Sequence, residues 1–464
     1  MKRKGKWMLS LLTALFVYAG SSLSAKAAVL GDVNADGTLD VADAQSALKI
    51  YVECELAGIR TPEKTELLAA DIDCSGKVSV EDAQILLSCY TMRLAGNSVT
   101  WEELIPELRT LPLSRVSAED ALFGENYIRA AKTVSRMTTE EKVSQLFLVT
   151  YPDYTSLLSE VPSERCAAGY VLFARDFQNE TPASLLQKMT TLKSKSKFGL
   201  MLGCDEEGGS VVRASCYKQF RETAFLSPKT LFARGGLQAV FDDAEEKALF
   251  LQNLGLNYNL APVVDMPQNS SSYIYGRTLG QDAETTAAYS AGTVQVMNTH
   301  GMISTLKHFP GYGDNLDTHT LVSRDTRTKE QFMERDLVPF ISGIEAGVPM
   351  IMVNHNIITC LDQEKPASLS EPVHRLLRDE LEFSGIIATD ALTMGAIKQY
   401  TTDGAAAVQA ILCGNDLILT SDYKTQRAEV LKAVQNGTIP ETMVNDAVRR
   451  ILACKYTYGI LQAE

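Results

Sequence analysis

The sequence contains no C-x-x-C pair, although nine cysteines are scattered through its 464 residues. A zinc or dithiol centre therefore has no support, and an odd, sparse set does not describe a disulfide framework. Most of these cysteines read instead as small buried apolar residues. A localised basic patch is also missing. Acidic residues outnumber basic ones by 57 to 44, for a net charge of −13, so no nucleic-acid partner is expected. Beyond the N-terminus no apolar run is long enough to cross a bilayer, which argues against membrane insertion. What is present is ordinary globular composition: 45% hydrophobic, 22% charged, 30 Gly, 15 Pro and a mean hydropathy of −0.05. Collagen-like, coiled-coil and wholly disordered chains are excluded, and the length suits one large domain plus a smaller one.

The first residues read as a secretory leader, 1–27. Lys2, Arg3, Lys4 and Lys6 precede a short apolar run, and Ala25-Lys26-Ala27 offers an A-x-A cleavage site. Cleavage removes five basic residues and no acidic one, leaving 39 against 57 and a net charge of −18. The expected product is secreted and extracellular.

A repeat follows within residues 30–95. Asp32, Asn34, Asp36, Asp40 and Asp43 fall at positions 1, 3, 5, 9 and 12 of a twelve-residue loop, with the Thr38 carbonyl at 7. Asp71, Asp73, Ser75, Ser79 and Asp82 repeat the spacing, with Lys77 at 7. Gly37 and Gly76 stand at position 6, where the chain must turn sharply. Each loop runs into Ala-Gln and an amphipathic stretch. A hard cation needs about six to eight oxygens, so this spacing suits two structural Ca2+ ions. With Asp rather than Glu at position 12 and one helix per repeat, the segment resembles a type I dockerin. That resemblance implies a cohesin domain of a scaffoldin as partner, and attachment to a cellulosome-like scaffold at the cell surface. Residues 96–125 read as a linker.

From 126 to 464, short apolar runs alternate with helical patterns. The runs fall at 145–150, 169–173, 199–203, 256–261, 302–305, 350–354, 385–389 and 416–420. Helical stretches are expected at 182–195, 242–254, 285–300, 329–346 and 371–382. Eight strands with helical crossovers predict an α/β domain, a (β/α)8 barrel of the TIM type.

In such a barrel, chemistry sits at the C-terminal strand ends. The residues there are Asp205-Glu206-Glu207 with Arg213, Asp265 with Arg277, Lys307-His308, then Asp317-Thr318-His319, Asn354-His355 and Thr389-Asp390. So many charges at equivalent places are costly unless paired or used.

The motifs DEEGG, LKHFPGYG, DTH and IIATDALTMGAI resemble those of glycoside hydrolase family 3, nearest its bacterial β-N-acetylglucosaminidase branch. The resemblance spans about 130–460. It implies Asp390 as nucleophile of a retaining reaction, His319 as acid/base and Asp317 as its partner. It also implies Asp205, Arg213, Arg277, Lys307 and His308 as sugar-binding residues and no catalytic cofactor; Asp265 and His355 are candidates for the rim or for places behind the sugar-binding residues. An imidazole titrates near pH 6.5, so it can give and later retake a proton. The implied activity is exo-hydrolysis of terminal β-linked N-acetylglucosamine from an oligosaccharide or polysaccharide. Two positions depart from the family pattern: Ser210 follows the Gly-Gly, and Tyr312 stands where relatives carry His. β-Glucosidase, β-xylosidase or glycoside phosphorylase chemistry are the alternatives within the family. A catalytically silent sugar-binding scaffold component is the alternative outside enzymology.

Overall fold

The computed structural model describes residues 31–62, 66, 69–72, 78–97, 99, 104, 122–318 and 322–462. The expected leader at 1–27, loop residues Asp73, Ser75 and Lys77, most of the expected linker, and His319 lie outside them. The chain divides into two compact units, Met1–Thr91 and Met92–Glu464.

In the first unit, each calcium-type loop leads into a helix, α1 (Val41–Tyr51) and α2 (Val80–Leu94). Asp40 caps α1 by accepting the Ala42 N–H at 2.7 Å, while Asp43 accepts the Asp40 N–H at 2.8 Å. The two helices repeat each other residue for residue. Asp43, Ala44, Ala47 and Ile50 are buried, as are Asp82, Ala83, Leu86 and Cys89 at the same offset. Val41 and Leu48 are exposed, and so are their counterparts Val80 and Leu87. Gly37 has φ +88°, in the left-handed region that position 6 requires.

The second unit is an α/β domain built on parallel sheet. Its strands are β1 (Phe147–Thr150), β2 (Gly169–Leu172), β3 (Met201–Cys204), β4 (Tyr258–Asn259), β5 (Thr305–Phe309), β6 (Met350–Val353), β7 (Ile386–Thr389) and β8 (Ile418–Thr420). One sheet has the order β8-β1-β2-β3-β4 and a second β5-β6-β7, while two further two-residue strands, Arg324–Asp325 and Ile357–Ile358, pair in parallel as a third. Isolated parallel bridges join Tyr258 to Ile303, Val263 to Lys307 and Ala388 to Leu417, at the edges where the sheets meet. Every residue of β2, β3, β5, β6, β7 and β8 is buried, which is why the strands read as short continuous apolar runs without alternation. Gly203 lies so close to the Tyr258 backbone that a β-carbon there would run into its carbonyl.

Local signals start the helices. Pro182 and Pro228 occupy first-turn positions, behind Thr181 and Ser227 whose side chains accept N–H groups of Ser184 and Thr230. Three expectations need correcting. The helix expected at 242–254 begins at Pro228 and is broken at Gly235 and Gly236. The helix expected at 329–346 consists of Lys329–Gln331, a wide-turn stretch Phe332–Asp336, and Leu337–Glu345. Pro339, in the first turn of the last piece, has no N–H to continue the ladder backwards. The fifth strand, expected to end at 305 with Lys307 and His308 beyond it, is Thr305–Phe309 and contains both. A strand tolerates these two because their polar groups find partners inside the domain.

Candidate active site

Three strands converge on one ionic network. β3 ends at Cys204 and delivers Asp205, whose Oδ1 lies 2.9 Å from Lys307 Nζ and whose Oδ2 lies 3.2 Å from Arg213. Glu207, two residues on, is buried; its Oε1 is 2.6 Å from the same Lys307 nitrogen. Arg277, on the 3-10 turn Tyr275–Arg277 after β4, grips Glu207 with both arms, Nε to Oε2 at 2.8 Å and Nη2 to Oε1 at 2.7 Å. Burial alone would push the Glu207 carboxyl up, but Lys307 and Arg277 outweigh it and hold it at about 2. Asp205 is likewise lowered against its burial, by Lys307 and Arg213. Burial works to lower the Lys307 ammonium, and Asp205 and Glu207 together raise it.

His308 continues the network. Its Nδ1 is 2.7 Å from Asp265 Oδ2, a carboxylate that can only accept, so Nδ1 donates. The Nε2 then faces Arg277 Nη2 at 3.4 Å. Asp265 also accepts the N–H groups of His308 at 3.2 Å and Tyr312 at 2.6 Å, and Asn354 Nδ2 donates to the His308 carbonyl at 3.1 Å. A buried lysine and histidine are thereby aimed by carboxylates that are themselves fixed.

Asp390 follows β7. Its N–H donates to the Val353 carbonyl, and its Oδ1 accepts the Ala391 N–H at 2.7 Å. His355 Nε2 donates to the Ala391 carbonyl at 3.1 Å, while its Nδ1 accepts from Ser368 Oγ at 2.7 Å, so this histidine props the turn carrying Asp390. Asp317 lies on the stretch after β5. Burial is the largest influence raising the Tyr273 phenol; Arg277 opposes it, and Asp317, Asp390 and Glu207 add to it. Asp317 and Asp390 act on Tyr312 in the same sense. These two tyrosines, 6.0 Å apart by ring centroid, both lie within electrostatic reach of Asp317 and Asp390.

Asp205, Arg213, Arg277, Lys307 and His308 thus form one network, and Tyr273, which feels Arg277 and Glu207 of that network, also feels Asp390 and Asp317. His319 is outside the described residues. Sequence reasoning gave Glu207 no role of its own, although it binds two cations, Lys307 and Arg277, just as Asp205 binds Lys307 and Arg213. The DEEGG motif contained it, but which of three adjacent carboxylates turns inward depends on Arg277, seventy positions away. Glu206 is buried and spent on structure, accepting N–H groups of Arg213 and Ala214 at 3.0 and 2.9 Å. Asp265 sits behind His308 and not on the rim, holding its Nδ1 and the Tyr312 N–H. Among the described residues, no group of three or more His, Cys, Asp or Glu side chains is placed to hold a metal ion. In the first calcium-type loop, Asp32 accepts from Asp36 and Gly37 N–H groups, and Asp43 from those of Val33, Asn34 and Asp40.

Residues 138–454 match the model of the glycosyl hydrolase family 3 N-terminal domain. A β-N-acetylglucosaminidase/β-glucosidase of Cellulomonas fimi is 29% identical over 343 residues, 71% of this chain and 59% of that protein. A β-hexosaminidase of Xanthomonas campestris pv. campestris (strain B100) is 31% identical over 283 residues, 59% of this chain and 82% of that protein. The solved β-N-acetylglucosaminidase of the family from Paenibacillus sp. str. FPU-7 superposes with a TM-score of 0.65 at 30% identity, covering 70% of this chain and 63% of that one. The chain thus spans less than two-thirds of the Cellulomonas and Paenibacillus proteins. With the family's motifs gathered at the strand ends and its domain model covering most of the chain, the protein belongs to glycosyl hydrolase family 3.

Proposed function

We propose that this protein is a retaining, exo-acting β-N-acetylhexosaminidase that removes terminal β-linked N-acetylglucosamine. The observation that carries the reading is the Asp205–Lys307–Glu207–Arg277–His308 network, in a chain similar to β-hexosaminidases. The parallel bridges at both sheet edges support a closed (β/α)8 barrel, which would bring all eight strand ends to one mouth. Asp205, Arg213, Lys307 and His308 would bind ring hydroxyls, discriminating against sugars that lack or invert them. Asp390 attacks the anomeric carbon and the leaving oxygen takes a proton from His319. Water, deprotonated by the same imidazole, then releases the sugar with its configuration retained. Asp317 holds the imidazole and stabilises its protonated form.

Turnover of pNP-β-GlcNAc well above pNP-β-glucoside and pNP-β-xyloside is the expected result. Preference for the plain sugars, or formation of sugar 1-phosphate in phosphate buffer, would overturn the assignment. A 2-deoxy-2-fluoro sugar should label Asp390, as read by peptide mapping.

The N-terminal segment supports a second role, docking. Its loops offer an all-oxygen donor set that fits a hard cation: Asp32, Asn34, Asp36, Asp40 and Asp43, and in the second loop Asp71, Asp73, Ser75, Ser79 and Asp82. We infer two structural Ca2+ ions there. The duplicated exposed pairs Val41/Leu48 and Val80/Leu87 support a cohesin-type partner on a cellulosome-like scaffold. Residues 1–27 support export of the whole chain.

A further inference from the structure

Tyr312 is only 2% exposed, yet it lies on the segment that leaves β5 for Asp317. Its ring sits 5.7 Å from that of His308 and 6.0 Å from that of Tyr273. The hydroxyl is fully engaged. Thr318 N–H donates to it at 2.8 Å, Thr318 Oγ1 lies 2.9 Å away, and the Leu316 carbonyl lies 3.1 Å away. One donation, to Leu316, and two acceptances, from Thr318, satisfy a phenol completely. Thr318 is fully buried, whereas Leu316 is 63% exposed and Asp314 is exposed. Thr318 is also held from the other side: its carbonyl accepts the N–H of Ala396 at 3.2 Å, on the helix Gly395–Tyr400 that follows Asp390.

We infer that Tyr312 is a positioning residue for the acid/base stretch: through Thr318 its hydroxyl fixes the backbone between Asp317 and His319. Thr318 is then a rivet between the sugar-binding side, through Tyr312, and the nucleophile side, through Ala396. An apolar anchor would let this stretch slide; paired hydrogen bonds to one buried residue fix its register. The inference rests on the reading of His319 as acid/base, but the mechanical part does not depend on it. Phenylalanine at 312 would keep the ring, and the backbone N–H on Asp265, while leaving Thr318 N–H and Oγ1 buried without that partner. Loss of such a bond is felt as misplacement of the proton-transfer groups, to which rates are sensitive.

The test is Tyr312→Phe in the full-length protein, with hydrogen–deuterium exchange and kinetics on two substrates. Exchange in the peptide spanning 312–321 should rise, while β5 and β7 stay protected. kcat/KM should fall about tenfold or more for chito-oligosaccharide, whose departure needs a proton, and about threefold or less for an activated dinitrophenyl glycoside, whose departure does not. Thr318→Val should reproduce this split, whereas Thr318→Ser, which keeps the hydroxyl, should abolish it. Unchanged exchange at 312–321 overturns the inference. So does an equal fall for both leaving groups, which is what mere loss of folded enzyme produces. If wild type turns over neither glycoside, the hexosaminidase reading fails, and exchange alone decides whether Tyr312 holds the stretch.

Discussion

Lys307 places its ammonium 2.6 Å from Glu207, and each side chain is 2% exposed. Glu207 is at the same time clamped by Arg277, so one carboxylate neutralises two buried cations. Glu207→Gln leaves Lys307 to Asp205 and takes from Arg277 the carboxylate it grips. Breaking a buried ion pair from one side typically costs about 3–5 kcal/mol. Chemical denaturation of the variant should show a loss of that order, together with a rise in KM as Lys307 and Arg277 reorient.

The same carboxylate sets an acid limit. Its folded pKa is about 2 against an ordinary 4.5, so its stabilisation is complete above pH 4.5 and disappears as pH falls towards 2. The stability gap between wild type and Glu207→Gln should therefore close across that window. A gap independent of pH would mean that Glu207 acts through packing alone.

Asp205 bridges Lys307 and Arg213 at the mouth of the network. Asp205→Asn should lower kcat/KM by about 10- to 100-fold, the scale of one lost charged hydrogen bond. The measurement that separates binding from folding is the circular dichroism spectrum, expected to be unchanged.

Lys455, far from this site in sequence, is fully buried, with Nζ on Gln145 Oε1 at 2.7 Å and the Gly199 carbonyl at 2.9 Å. Burial pushes it down to about 7, against an ordinary 10.5. Because the folded value is the lower one, its contribution is complete above 10.5 and is lost as pH falls to 7. Wild type should gain stability relative to Lys455→Met as pH rises from 7 to 10.

Chelation should act on the first unit only. EDTA is expected to reduce the helical signal of an isolated segment 28–95 and to abolish cohesin-type binding by the full chain, while glycosidase activity stays within about twofold. Collapse of activity with chelator would contradict this division of labour.

Much of the second unit was legible because a parallel strand covered on both faces leaves an uninterrupted apolar run. The runs at 169–173 and 350–354 match β2 and β6 to within a residue. The same rule failed at β5, where Lys307 and His308 resemble loop residues until Asp205, Glu207 and Asp265 are seen around them. Glu207 was hidden for the complementary reason: its partner Arg277 is remote in the chain, and no local pattern separates it from Asp205 or Glu206. Tyr312 was visible as a departure from the family motif, but its grip on Thr318 is a tertiary fact. In the first unit, the loop spacing announced the duplicated helices, since Asp43 and Asp82 close their loops and start the buried face together.

Because β5 itself carries Lys307 and His308, the floor of the proposed sugar site is a piece of the domain's wall and not an appendage to it. Evolution cannot retune that floor without disturbing the wall on which the unit folds. Changes in preferred substrate should therefore accumulate on the outlying loops around Tyr273 and Leu316, while the strand stays as it is.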